Sequence, residues 1–296
     1  MLGAVFATTT SMSAKSEPAA PAHARIAFIG GGNMARSLIG AQLARGLPPD
    51  AITVAEPRAE ARDALAREFG VPTFSDNAAA VAGADCVVLA VKPQVMRAVC
   101  SALAEPLRDA NPLVISIAAG VRIAQIERLL GEGHAIVRCM PNTPALVGAG
   151  AAGLCANRSV DAEQRTFAER LLDAAGIVRW IDDEAQMDTV TALSGSGPAY
   201  FFLLVEAMEE AAVQLGLPRD TARALAAQTC LGAGHMLADG NETASELRKR
   251  VTSPHGTTAA ALDVFDQGGF RALVQRALDA AKRRGAEMSA ELDEGP

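Results

Sequence analysis

The sequence predicts an α/β domain built on a parallel sheet, followed by an all-α C-terminal domain. Three observations carry this. Short apolar runs recur up to Cys139, each suited to a strand buried on both faces. Helical segments alternate with them, and such alternation implies right-handed βαβ units. Beyond about Asp182 the β-branched runs stop, and Ala- and Leu-rich segments dominate.

The elements follow in order. RIAFI (25–29) is a buried strand with glycines directly behind it, and a helix then runs to about Gly46. ITVA (52–55) is a second strand. A helix over Arg58–Phe69 is stopped by Gly70. CVVLAV (86–91), LVISI (113–117) and IVRC (136–139) complete the strands that periodicity reveals. The second half reads as helices over 186–215, 219–239, 244–251, 257–266 and 270–290. Thr243 and Glu246 have capping-box spacing, and Gly216 and Gly240 mark helix ends. The boundary is expected within 182–188, giving domains over 25–185 and 186–296, with residues 1–24 as a disordered tail rich in Ala, Ser, Thr and Pro.

Composition narrows the classes. A net charge of -7 offers no basic footprint for nucleic acid. No apolar run approaches the roughly 18 residues that a membrane helix needs. The five cysteines form no CxxC pair, and the four histidines have no metal-ligand spacing. A cytoplasmic protein with small buried cysteines and no metal is expected.

The chemistry begins at Gly30, Gly31, Gly32, Asn33, Met34 and Ala35, a G-x-G-x-x-A placed between a strand and a helix. Gly30 makes the tight turn, Gly32 lets backbone approach a pyrophosphate, and Ala35 permits close helix–sheet packing. The helix N-terminus faces the anion. This is a Rossmann dinucleotide site. Glu56 and Arg58 end the second strand and point in opposite directions. A carboxylate suits the ribose hydroxyls of NADH, whereas an arginine suits the 2′-phosphate of NADPH. The sequence leaves both open. Ala90, Val91, Lys92 and Pro93 end the next strand, where Lys92 is either a cofactor contact or a solvated surface lysine. The small residues Ala118, Ala119 and Gly120 leave room for a flat ring, and MPNTP (140–144) is a stiff loop beside it.

Two segments stand out in the helical half. SGSGPAY (194–200) interrupts a helical stretch with two glycines and a proline, marking a kink, a loop or a close approach. In SPHGTT (253–258), Ser253, Thr257 and Thr258 cluster at a helix start. That arrangement suits a carboxylate ligand, or helix capping by either threonine.

Together GGGNMA, AVKPQ, SIAAGV, MPNTP, ALSGSGPAY, SPHGTT and GGFRALV resemble the pyrroline-5-carboxylate reductase family, in order from about residue 25 to 290. The resemblance implies reduction of 1-pyrroline-5-carboxylate to L-proline, an NAD(P)H-dependent reaction at a CH–NH group and the last step of proline synthesis. It implies a helical dimerisation domain and a homodimer, often assembled into a larger ring, with the substrate between one Rossmann domain and the dimer helices. By position it assigns Gly30 to Ala35, Asn77 and Ala90 to Pro93 to the cofactor. It assigns Thr258 to the ring nitrogen as the catalytic contact, Ser253, Gly256 and Thr257 to the substrate carboxylate, and Glu184 to the substrate's surroundings. The family loop often reads SPGGT, and here His255 replaces its first glycine. That is a poor fit if the position needs a positive φ; otherwise it is a neutral change or an added titrating group.

Hydride transfer to a cyclic imine needs positioning more than acid–base machinery. A related imine reductase or β-hydroxyacid dehydrogenase shares the layout. A lysine on the first C-terminal helix would favour the dehydrogenase, but no lysine lies between Lys92 and Lys249. A non-catalytic dinucleotide-binding dimer would have no reason to keep the Thr257–Thr258 loop.

Overall fold

The structure is a computed structural model and describes residues 24–294. The expected tail over 1–24 lies outside the described residues, apart from Ala24. Eight strands form one sheet in the order β3-β2-β1-β4-β5-β6-β7-β8. The strands are β1 (Ile26–Ile29), β2 (Ile52–Ala55), β3 (Thr73–Phe74), β4 (Cys86–Leu89), β5 (Leu113–Ser116), β6 (Ile136–Met140), β7 (Gly150–Ala156) and β8 (Gly176–Trp180). The first six are parallel, β7 runs antiparallel to β6, and β8 runs parallel to β7.

The apolar strands are explained by cores on both faces. Ile26 and Phe28 enter one core, and Ala27 and Ile29 enter the other. Helix α1 (Asn33–Ala44) covers the first through Ala35, Leu38 and Ile39. On the other face lie α3 (Asn77–Val81), α4 (Pro93–Arg108) and α5 (Ile123–Leu130), through Ala80, Met96, Leu103 and Ile126. Each such Leu or Ile, fully removed from water, contributes about 1.5–3 kcal/mol. Four of the five cysteines are buried in these layers. Burial pushes the Cys100 thiol up to about 12 and those of Cys86 and Cys139 further up, so they behave as inert core residues.

Three differences from the sequence reading have physical causes. CVVLAV yields a strand only to Leu89, because Lys92 and Pro93 already begin α4. Helix α2 covers Ala59–Phe69, with Arg58 as its N-cap and Gly70 closing it in the left-handed region. Strands β3, β7 and β8 escape the periodicity. The first has two residues, and β7 (GAAGLCA) is too small in its side chains to read as a strand. Helix α6 (Ala162–Leu172) returns the chain from β7 to β8.

After Trp180 the chain turns helical. Helix α7 (Met187–Val190) passes through a π-helical turn, Thr191–Gly195, into α8 (Gly197–Gln214). Then follow α9 (Arg219–Ala238), α10 (Ala244–Arg250), α11 (Thr257–Gln267) and α12 (Phe270–Glu294). The Thr243–Glu246 capping box is present. Helix α12 returns to the sheet domain, where Gln125 donates to the Ser289 carbonyl at 2.8 Å. Among the described residues no helix is long and apolar enough to cross a membrane.

Candidate active site

The C-terminal edge of the parallel strands gathers the residues that the sequence assigned to a dinucleotide. Residue Ile29 of β1 pairs with Ala55 of β2 and with Leu89 of β4. The turn after β1 therefore sits between the ends of its two neighbours. The Gly30 amide donates to the Ala55 carbonyl at 2.8 Å, and the Ala90 amide donates to that of Ile29 at 2.8 Å. Asn77 begins α3 just past β3, and Ala119 follows β5 on the same edge. Lys92 is the exposed N-cap of α4.

The turn itself fits a dinucleotide. Gly30 has φ +99°, and an added Cβ would lie 2.6 Å from the Ala90 carbonyl oxygen. Only glycine tolerates both. Around Gly32, by contrast, nothing lies within 4 Å of the Cβ position. Gly32 is the N-cap of α1, and no side chain caps this helix. Its first-turn amides have no side-chain cap, which suits a pyrophosphate held against the positive end of the helix.

At the end of β2, the Glu56 carboxylate is buried. Its Oε2 accepts from the Gly31 amide at 3.2 Å, and its Oε1 accepts from the Arg58 amide at 3.2 Å and Nε at 2.9 Å. Burial alone raises the Glu56 carboxyl. Hydrogen bonds from Arg58 and Gly31, with the charge of Arg58, outweigh it and hold the group below its ordinary value.

The SPHGTT loop joins α10 to α11. His255 has φ +60°, so the position does require the left-handed region that glycine would occupy freely. The N-cap of α11 is Gly256, without a side-chain cap, so neither Thr257 nor Thr258 caps the helix and its first amides stay open. Ser253 and Thr257 are exposed and Thr258 half-buried. The loop's hydrogen bonds are local, as from the Gly256 amide to the Ser253 carbonyl at 3.1 Å. Within its chain α11 packs on α12. The sheet edge and this loop are the two candidate half-sites that the sequence pointed to.

A family model described as pyrroline-5-carboxylate reductase dimerisation matches residues 184–288, and one described as NADP oxidoreductase, coenzyme F420-dependent, matches 25–120. The pyrroline-5-carboxylate reductase of Pseudomonas aeruginosa is 54% identical over 268 residues, covering 90% of this chain and 98% of that one. The Haemophilus influenzae enzyme of the same name is 46% identical, over 90% and 98%. Among solved structures, a pyrroline-5-carboxylate reductase from Coxiella burnetii superposes with a TM-score of 0.86 at 46% identity, over 90% of this chain and 98% of that one.

The chain belongs to the pyrroline-5-carboxylate reductase family. Its fold is therefore a Rossmann domain followed by the helical dimerisation domain of that family. A further family structure, from Plasmodium falciparum with NADP bound, has a TM-score of 0.79 at 30% identity, over 90% of this chain and 98% of that one.

The structure gives Glu184 partners of its own. The Glu184 carboxylate accepts from the Ile123 amide at 2.9 Å and from Arg138 Nη1 at 3.1 Å. Arg138 is buried on β6 and also reaches Asp188 at 3.3 Å. Glu184 thus fastens α5 and β6 to the segment that leads into the helices.

Sequence reasoning left unread the pairing of two of its motifs, and it passed over Arg62. Asn142 donates to the Ser194 carbonyl at 2.9 Å and accepts from the Ala151 amide at 2.9 Å, tying MPNTP to the π turn. Gly195 permits that approach, since a Cβ there would lie 2.4 Å from Met140 Cε. This reads SGSGPAY as a π-helical seam rather than a break. Arg62 of α2 donates to the Glu56 and Pro57 carbonyls at 2.9 and 2.8 Å. It lies one helical turn past Arg58, the one signal that pointed to it.

Proposed function

We propose that this protein reduces 1-pyrroline-5-carboxylate to L-proline. Family membership over nearly the whole length of the relatives carries the reading, and the chemistry of the two half-sites supports it. When bound at the sheet edge, a reduced nicotinamide dinucleotide supplies the hydride that the imine carbon accepts. Gly30 to Ala35 hold the pyrophosphate through the open amides of α1. Asn77 and Ala90 to Pro93 line the rest of the edge, and the small Ala119 leaves space for the nicotinamide.

The substrate carboxylate is held by Ser253, Gly256 and Thr257 at the uncapped start of α11, where free amides and the helix dipole favour an anion. The Thr258 hydroxyl hydrogen-bonds the ring nitrogen and orients the imine carbon toward the hydride. Glu184 stands in the surroundings of the substrate, held in place by its bonds to Arg138 and Ile123.

A homodimer brings the two half-sites together. Helices α8, α9, α11 and α12 expose large apolar side chains, among them Phe202 (67%), Leu203 (65%), Val264 (69%) and Leu273 (55%). So large an apolar face marks an interaction surface. A groove of about 1050 Å³ among these helices, lined by Leu204, Arg248, Ala259, Phe265 and Phe270, gives a partner's helices a seat. We place the enzyme in the cytoplasm, in keeping with its free, buried thiols.

The test is the substrate-dependent loss of reduced-nicotinamide absorbance with pyrroline-5-carboxylate. Thr258→Ala should lower turnover about ten- to a hundredfold, or about 1.4–2.7 kcal/mol of lost positioning. No turnover by a folded, coenzyme-binding protein would reject the reading, and unchanged kinetics in the variant would reject the role of Thr258.

A further inference from the structure

Two motifs meet at a joint between the sheet and the helices. Asn142 follows β6 and stands beside the loop after β5, since Ser116 of β5 pairs with Arg138 of β6. It is 8% exposed, and its side chain is engaged in both directions. Nδ2 donates to the Ser194 carbonyl at 2.9 Å, and Oδ1 accepts from the Ala151 amide at 2.9 Å. The Ser194 carbonyl lacks its ordinary helical donor for a reason written in the sequence. In an α-helix residue 198 would donate to it, and residue 198 is a proline, with no N–H and with a ring that crowds that carbonyl. The chain relieves the conflict with the π turn, where the Ser196 amide reaches back to the Thr191 carbonyl at 2.8 Å and the Tyr200 hydroxyl donates to the Ala192 carbonyl at 3.0 Å. Asn142 supplies the donor that Pro198 cannot, and so spares a carbonyl the penalty of being left unpaired. Helix α12 packs on the same turn, and a Cβ on Gly120, just past β5, would stand 3.3 Å from Met288 Cβ of that helix.

We propose that Asn142 is a positioning residue for hydride transfer: by holding the carbonyl that Pro198 leaves without a donor, it fixes the start of α8 against the sheet edge that takes the nicotinamide. The proposal rests on the reading that the coenzyme binds at that edge and that the protein reduces a cyclic imine there. From the joint, α8 runs into the exposed apolar side chains of Phe201 and Phe202, part of the face assigned to the dimer. The angle at which α8 leaves the sheet therefore sets where the dimer's substrate loop stands over the nicotinamide. Both polar atoms of Asn142 are bonded within the chain, so it acts through α8 and not by touching coenzyme or imine. Transfer between two bound molecules depends steeply on their placement, and a shift of about 1 Å costs on the order of a hundredfold in rate.

Kinetics of the full-length protein, with calorimetric titration of NADPH and sedimentation for the dimer, test this. Asn142→Ala should lower kcat about ten- to a hundredfold. The KM for pyrroline-5-carboxylate and the Kd for NADPH should stay within about threefold, the split expected when only the placement of the reacting atoms suffers. Hydride transfer then limits turnover, so NADPH deuterated at the transferring C4 position should show a larger isotope effect than with the unaltered protein. Adding Pro198→Ala to that variant gives the Ser194 carbonyl a backbone donor in its own helix but no tie to the sheet. Its melting temperature should recover while kcat stays low, and this double variant carries the same test if Asn142→Ala alone does not fold. A kcat that recovers together with the melting temperature would overturn the proposal, leaving Asn142 as a cap and nothing more. So would an unchanged kcat in Asn142→Ala, a loss of NADPH affinity as large as the loss of kcat, or dissociation of both variants into monomers. Absence of turnover by the unaltered protein with NADPH bound would overturn the reductase reading beneath it instead.

Discussion

Replacing Gly30 by alanine and, separately, Gly32 by alanine tests whether two glycines of one turn serve different ends. At Gly30 the backbone has φ +99°, and the new Cβ would stand 2.6 Å from the Ala90 carbonyl oxygen and 3.1 Å from Val91 Cγ1. The left-handed backbone costs a non-glycine residue about 1–2 kcal/mol. Forcing β1 and β4 apart at their ends adds about 1–3 kcal/mol. Together about 2–5 kcal/mol is lost, which for a chain of this size lowers the melting temperature by roughly 5–15 °C. Gly32 has φ −72° and open space around it, so alanine fits without strain. A weaker N-cap, about 1 kcal/mol, is offset by about 0.4–1 kcal/mol from a less flexible unfolded chain. Without ligand, Gly32→Ala should melt close to the unaltered protein. Its methyl nevertheless stands where the backbone must approach the pyrophosphate. NADPH should bind at least about tenfold more weakly, or about 1.4 kcal/mol. Circular dichroism melts of the ligand-free proteins and NADPH titrations give both numbers. Equal losses of melting temperature in the two variants would refute the reasoning, and so would normal NADPH affinity in Gly32→Ala.

Other substitutions probe the seam, the substrate loop and the ribose corner. Arg138→Ala strands the Glu184 and Asp188 carboxylates and should cost about 3–5 kcal/mol in denaturant melts; combining Arg138→Leu with Glu184→Gln and Asp188→Asn should recover most of it, and a near-neutral single variant would show that the ion trio holds little together. His255→Gly relieves a left-handed residue and should stabilise the protein by about 0.5–1 kcal/mol after the greater freedom of glycine in the unfolded chain is counted. If turnover and its pH profile stay constant in that variant, His255 is a neutral replacement; a shifted profile would give it a titrating role instead. Glu56→Gln should destabilise at neutral pH, with the gap closing in acid. The folded carboxyl titrates below its ordinary value, so its stabilisation is complete above the unfolded value and fades as pH falls through the folded one. A gap that widened on acidification would contradict the hydrogen bonds assigned to Glu56.

Much of this molecule was legible because the signals are local. RIAFI, ITVA and LVISI are apolar throughout, and a strand buried on both faces demands that whatever its neighbours are. The Gly30–Ala35 turn follows from backbone geometry, and the Thr243–Glu246 box from hydrogen bonds three residues apart. The motifs of the two half-sites, and with them the family, lay in plain order along the chain.

What the sequence could not supply is whatever depends on distant partners. The strand β7 is built of small residues whose pairing with β6 and β8, not their own preference, makes them a strand. The resemblance placed Glu184 near the substrate, but only the fold sets it 3.1 Å from a buried arginine 46 positions away. Glu56 and Arg58 are two residues apart, and nothing in their spacing says that one holds the other. Only the approach of the Gly31 amide to that carboxylate and the turn of Arg58 back onto it decide it, because hydrogen bonds are set by position in space.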